Sequence, residues 1–129
     1  MEKKVIQVVG YPCSGKTTWI HALRKNQLTF DFLDLKAYSP PKKEKKLLID
    51  LQKTTNNTIV ESACGFYIEN SIVINVSTTE EQYKINQMLR QEFYNSNQLK
   101  QIQSNMVPYD YIAHDLNSFY LLVKHLLKD

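Results

Sequence analysis

Apolar positions along the chain follow two rhythms, one of strands and one of helices. Val5-Ile6-Gln7-Val8-Val9 is β-branched and nearly continuous, which predicts a strand buried on both faces and stopped by Gly10. From Lys16 to Lys25, Trp19, Ile20 and Leu23 recur at helical spacing on one face. Leu28 to Leu35 predicts a second strand, bounded by Asn26-Gln27 before it and Ser39-Pro40-Pro41 after it. Lys43 to Lys53 predicts a short helix with Leu47, Leu48 and Leu51 turned inward. Thr58-Ile59-Val60, ending at Glu61, and Ser71 to Val76 predict the third and fourth strands. Thr78 and Glu81 have capping-box spacing and open a helix expected to reach Tyr94. Asn95 to Asn105 reads as a polar, mobile connection. Tyr109 to Ala113 predicts a fifth strand. Leu116 to Leu127 predicts a closing helix whose face carries Leu116, Phe119, Tyr120, Val123, Leu126 and Leu127.

Strands that alternate with helices imply right-handed crossovers and a parallel sheet covered on both sides. The expected fold class is α/β, a three-layer αβα sandwich with a five-stranded parallel sheet. At 129 residues, without repeats or a Gly/Ser linker, the chain suits one domain spanning 1–129. Composition adds little: 43% hydrophobic and 22% charged residues are ordinary for a globular fold. A net charge of +3 accommodates an anionic ligand without indicating nucleic acid. Cys13 and Cys64 stand in no metal-ligand spacing, so free thiols in a reducing cytoplasm are expected. The first apolar run is too short for a signal peptide or a membrane span, and no membrane partner is expected.

Chemistry is concentrated in Gly10-Tyr11-Pro12-Cys13-Ser14-Gly15-Lys16-Thr17, which fits G-x-x-x-x-G-K-[ST] at every fixed position. Gly10 and Gly15 allow the backbone to bend so that successive N–H groups turn inward as an anion nest. The helix opening near Lys16 adds the positive end of its dipole. Lys16 brings a full charge to the β- and γ-phosphates, and the Thr17 hydroxyl is a hard ligand for Mg²⁺. The expected ligands are therefore a nucleoside triphosphate, ATP, and Mg²⁺. Cys13, Ser14, Gly15 and Thr18 are assigned to nucleotide contact with the fixed residues. Cys13 reads either as a thiol of lowered pKa at a helix N-terminus or as a small filler, and filler is the plainer reading.

The layout resembles the nucleotide- and small-molecule-kinase group of the P-loop superfamily, including nucleoside monophosphate kinases and dephospho-CoA kinase. Phe32-Leu33-Asp34-Leu35-Lys36 resembles the strand whose terminal acid lies near the acceptor hydroxyl in such kinases. Tyr109 to Asp115 resembles their last strand and base-contacting loop. The resemblance implies phosphoryl transfer to a nucleoside, nucleotide or other small acceptor, with a polynucleotide acceptor as a further option. It departs in having two arginines, Arg24 and Arg90, and no room for a separate acceptor domain.

Four residues are assigned to catalysis. They are Lys16; Asp34, at a strand end where α/β folds place ligands; Glu61, at the place of a Walker-B carboxylate; and Arg90, as a lid-type arginine. His114 is assigned to the base pocket, and Asp115 to capping the last helix. Lys42, Lys43, Lys45 and Lys46 form a basic cluster suited to an acceptor phosphate or a polynucleotide backbone. Two alternatives remain: a P-loop NTPase that releases phosphate without an acceptor, and a nucleotide-binding module that has lost catalysis. The missing N-K-x-D and D-x-x-G signatures argue against a GTPase.

Overall fold

The computed structural model describes residues 3–39 and 41–128; Pro40, part of the expected break after the second strand, lies outside them. Five parallel strands form one sheet in the order β2-β3-β1-β4-β5: β1 is Val5–Val9, β2 Asp31–Asp34, β3 Thr58–Glu61, β4 Ile72–Val76 and β5 Tyr111–Ala113. Among the described residues five α-helices accompany them: α1 Lys16–Lys25, α2 Lys43–Lys53, α3 Glu80–Arg90, α4 Ser96–Asn105 and α5 Leu116–Leu126. The α/β sandwich expected from the strand–helix alternation is the one observed.

Both faces of β1 are buried, as its unbroken apolar run requires. Ile6 and Val8 pack with Ile20 and Leu23 of α1 and with Phe119 and Val123 of α5. On the opposite face Val5 meets Leu47 and Leu51 of α2, and Val9 meets Val73 and Val107. The chain leaves β1 and β3 toward opposite faces, and between adjacent strands of this kind α/β sheets open a crevice at their carboxyl ends.

The step from β3 to β4 is unusual. A parallel crossover ordinarily carries a helix, yet residues 62–71 cross over β1 without one. Gln7 takes the place of that packing. Its side chain, fully buried in β1, donates from Nε2 to Phe66 O and Ser71 Oγ, both at 2.9 Å, and accepts the Phe66 N–H at 2.9 Å. Gly65 lies flat against the same face with φ +78°; a Cβ there would meet Val107 Cγ2 at 2.6 Å.

Four expectations need correction. Residues 96–105 form α4 rather than a mobile connection: Asn95 accepts from Gln98 N at 2.8 Å while Gln98 Oε1 accepts the Asn95 N–H at 2.8 Å. This reciprocal cap supplies the two terminal bonds that a polar ten-residue helix needs. Helix α3 begins one residue later than its sequence signature, on Thr79 and Gln82, and ends at Arg90 rather than Tyr94. Gln91 turns left-handed there (φ 54°), and Glu92 N–H bonds back to Gln87 O at 3.1 Å. The second strand is shorter than Leu28–Leu35, because Leu35–Ala37 is wound into a 3₁₀ turn by Asp34 Oδ1, which accepts Lys36 N–H at 3.0 Å. The fifth strand starts at Tyr111, since Asp110 turns its carboxylate to Val73 N–H at 2.8 Å. The α4 cap gives a direct check: Asn95→Ala is expected to cost about 1 kcal/mol of stability in denaturant unfolding. A change below about 0.3 kcal/mol would mean that the cap does not hold this helix.

Candidate functional site

Gly10 to Thr17 joins β1 to α1 at the crevice. Gly10 has φ +151°, and a Cβ on it would stand 2.6 Å from Val76 O, so the loop's close approach to β4 excludes any other residue. Its N–H donates to Ala63 O at 3.2 Å, tying the loop to the crossover. Gly15 is the N-cap of α1 and brings the helix dipole to the cradle. Cys13 is buried with φ 66°, and its carbonyl accepts from Asn86 Nδ2 of α3 at 2.9 Å. Burial pushes the Cys13 thiol up, which favours the filler reading over a reactive thiolate.

Two buried charges stand at the centre. Lys16, 6% exposed, folds over the loop and donates from Nζ to Gly10 O at 2.6 Å and Tyr11 O at 3.0 Å. Burial pulls its ammonium down to about 8, against the neighbouring Glu61 carboxylate, which draws it up. Glu61 is 1% exposed, and burial pushes its carboxyl up. Its partner is Thr17, whose hydroxyl lies 2.7 and 3.0 Å from the two carboxylate oxygens. A buried carboxylate needs such a partner, and Thr17 is the very residue expected at the metal. Asp34 sits opposite Glu61 in the β2–β3 register, so the two acids end adjacent strands side by side.

Three of the cavities around the loop bring together residues singled out in the sequence. A small one of about 30 Å³ is lined by the loop from Cys13 to Thr18 together with Lys36 and Arg90. Arg90 thus stands beside the loop, half-exposed and 3.8 Å from Glu92. Arg24 does not: it lies over the Phe30 ring at 5.0 Å. A second, of about 520 Å³, runs along α1 and is bounded by Thr18, Trp19, Leu89, His114 and Asp115. His114 lines this cavity, and Asp115 on the same wall caps α5 by accepting the Ser118 N–H at 2.7 Å. A third, of about 150 Å³, brings Lys16, Asp34 and Glu61 together with Lys36 and Lys43.

Lys36 is the residue that sequence reasoning missed. It faces both the cradle and the third cavity, and its signal was a basic residue two places beyond a strand-terminal acid. Of the basic cluster, Lys43 alone lines a site cavity; Lys42, Lys45 and Lys46 are solvated on α2 and its cap, which leaves a polynucleotide track without support. Tyr38 and Phe66 pack against the α2 core, and Tyr67 is 90% exposed. None of the described helices is long and apolar enough to cross a membrane.

No family model and no curated protein matches the chain. Folds do match. A gluconokinase from Sinorhizobium meliloti is similar at TM-score 0.64 and 13% identity, over 96% of this chain and 93% of that one. Shikimate kinase from Bacteroides thetaiotaomicron is similar at 0.66 and 15%, over 96% and 98%. Shikimate kinase from Acinetobacter baumannii, in complex with shikimate, is similar at 0.65 and 15%, over 96% and 92%. The chain has the P-loop kinase-like fold.

Proposed function

We propose that this chain is an ATP- and Mg²⁺-dependent kinase of a small acceptor bearing a hydroxyl and an anionic group. The observation that carries the reading is the cavity of about 150 Å³ where Asp34, Glu61 and Lys16 meet Lys36 and Lys43. Carboxylates there suit a hydroxyl, and lysines suit an anion. Gluconate and shikimate, after which the three neighbours above are called, are both hydroxylated carboxylates, which supports the same class.

The residues divide the work. Loop amides and Lys16 hold the triphosphate, while Thr18, Trp19 and His114 line the space for its base. Thr17 Oγ1 and the Glu61 carboxylate form a hard-oxygen pair that would hold Mg²⁺. When bound, the ion neutralises charge on the β- and γ-oxygens. Asp34 takes the proton of the acceptor hydroxyl as its oxygen bonds to the γ-phosphorus and the bond to the ADP oxygen breaks. Arg90 and Lys36 flank the transferring group and balance its charge.

The test is a panel of hydroxylated carboxylates, nucleosides and nucleoside monophosphates, read as a mass gain on the acceptor with Mg-ATP. Asp34→Asn is expected to lower transfer about a hundredfold while ATP affinity stays within about twofold. Equal ATP consumption with and without acceptor identifies an NTPase instead. Thermal stabilisation by Mg-ATP without turnover on any acceptor identifies a binding module.

A further inference from the structure

A larger cavity, of about 560 Å³, opens between the carboxyl end of β4, α3 and α4. It shares Ser14 with the phosphate cradle but includes none of Lys16, Thr17, Asp34, Glu61 and Arg90. Its volume is that of a small-molecule site. Four tyrosines, Tyr11, Tyr83, Tyr94 and Tyr109, line it beside the carboxamides of Gln87 and Gln103. The Tyr11 and Tyr83 rings lie 6.2 Å apart, tilted by 57°, and the Tyr11 hydroxyl donates to Gln103 Oε1 at 2.7 Å. The charged groups on the wall, Glu80 and Lys84, pair with each other at 3.6 Å.

Two hydroxyls belonging to this wall, Ser14 Oγ and Tyr83 Oη, are buried and have no hydrogen-bond partner among the described residues. Ser14 is 4% exposed. Buried polar groups in folded proteins are nearly always bonded; Ser14 also borders the phosphate cradle, so Tyr83 Oη is the hydroxyl that marks where a ligand of this cavity bonds. We propose that this cavity is a second binding site, for an uncharged, flat ring compound of nucleoside size that carries hydrogen-bonding groups. The self-paired charges exclude an ionic ligand as the best fit, and the tyrosine walls favour a ring.

Equilibrium dialysis with adenosine, guanosine, cytidine and thymidine tests the site, with and without saturating Mg²⁺ and a non-hydrolysable ATP analogue. At least one nucleoside is expected to bind saturably at about 1 mM or tighter. Binding should survive the analogue, and it should survive Asp34→Asn. Tyr83→Phe should weaken it roughly tenfold. That variant deletes only an unbonded hydroxyl and should fold as well as the parent, so a merely structural role for Tyr83 would leave nucleoside binding unchanged. No saturable binding overturns the proposal. So does loss on adding the analogue, which would put the nucleoside beside His114, or loss in Asp34→Asn, which would put it in the acceptor cavity. Indifference to Tyr83→Phe overturns it as well. If the analogue itself fails to bind, the kinase reading fails while the Tyr83→Phe comparison still decides this one.

Discussion

Lys16→Met is expected to lower phosphoryl transfer about a thousandfold or more while leaving a folded protein. The ammonium is the one full positive charge buried in the loop, 6% exposed and held on Gly10 O and Tyr11 O. Without bound phosphate its burial is a cost, which is why its pKa is drawn down to about 8. Methionine keeps the unbranched stem and fills the same channel, so packing survives. What disappears is the charge opposed to the β- and γ-phosphates during transfer. Circular dichroism and thermal unfolding should match the parent while the mass-gain assay falls silent. Activity within tenfold of the parent would sink the assignment of this loop.

Gln7→Leu is expected to be the most damaging substitution for stability, at about 2–4 kcal/mol. Leucine is close in volume, but it leaves Phe66 N–H, Phe66 O and Ser71 Oγ without the partner that anchors the helix-free crossover. A loss of that size corresponds to a drop of roughly 10 °C in melting temperature for a chain of this length. Calorimetry showing a shift under about 2 °C would mean that the crossover is held by packing alone. The damage should also reach the loop, because Gly10 N–H bonds to Ala63 of the same crossover.

How far such features can be read in a sequence depends on whether their cause is local. The turn from Gly10 to Thr17 was legible because its fixed residues stand together in the sequence, although the contact that demands Gly10, Val76 O, lies on another strand. Burial of β1 was equally legible, since its five residues share one environment. Helix α4 was missed because only Leu99 and Ile102 interrupt its polar sequence, although Asn95 and Gln98 already stood at capping-box spacing. The start of α3 was misplaced because Thr78-x-x-Glu81 and Thr79-x-x-Gln82 satisfy the same pattern one residue apart. The meeting of Asp34 with Glu61 rests on a strand register that no local pattern encodes. Lys36 escaped for the same reason: it becomes part of the site only when the 3₁₀ turn swings it toward Arg90.

Trp19, the chain's one tryptophan, stands on the wall of the cavity along α1, packed against Phe119 at 5.6 Å. Its indole is therefore an optical gauge already installed beside the space proposed for a base. Excited where tyrosines stay dark, the protein emits from a single point, and a purine sliding in alongside changes the brightness or colour of that emission. Titrations can be followed without dye or label, and occupancy of the tyrosine-lined chamber, where no indole stands, can be told apart by its silence at that wavelength.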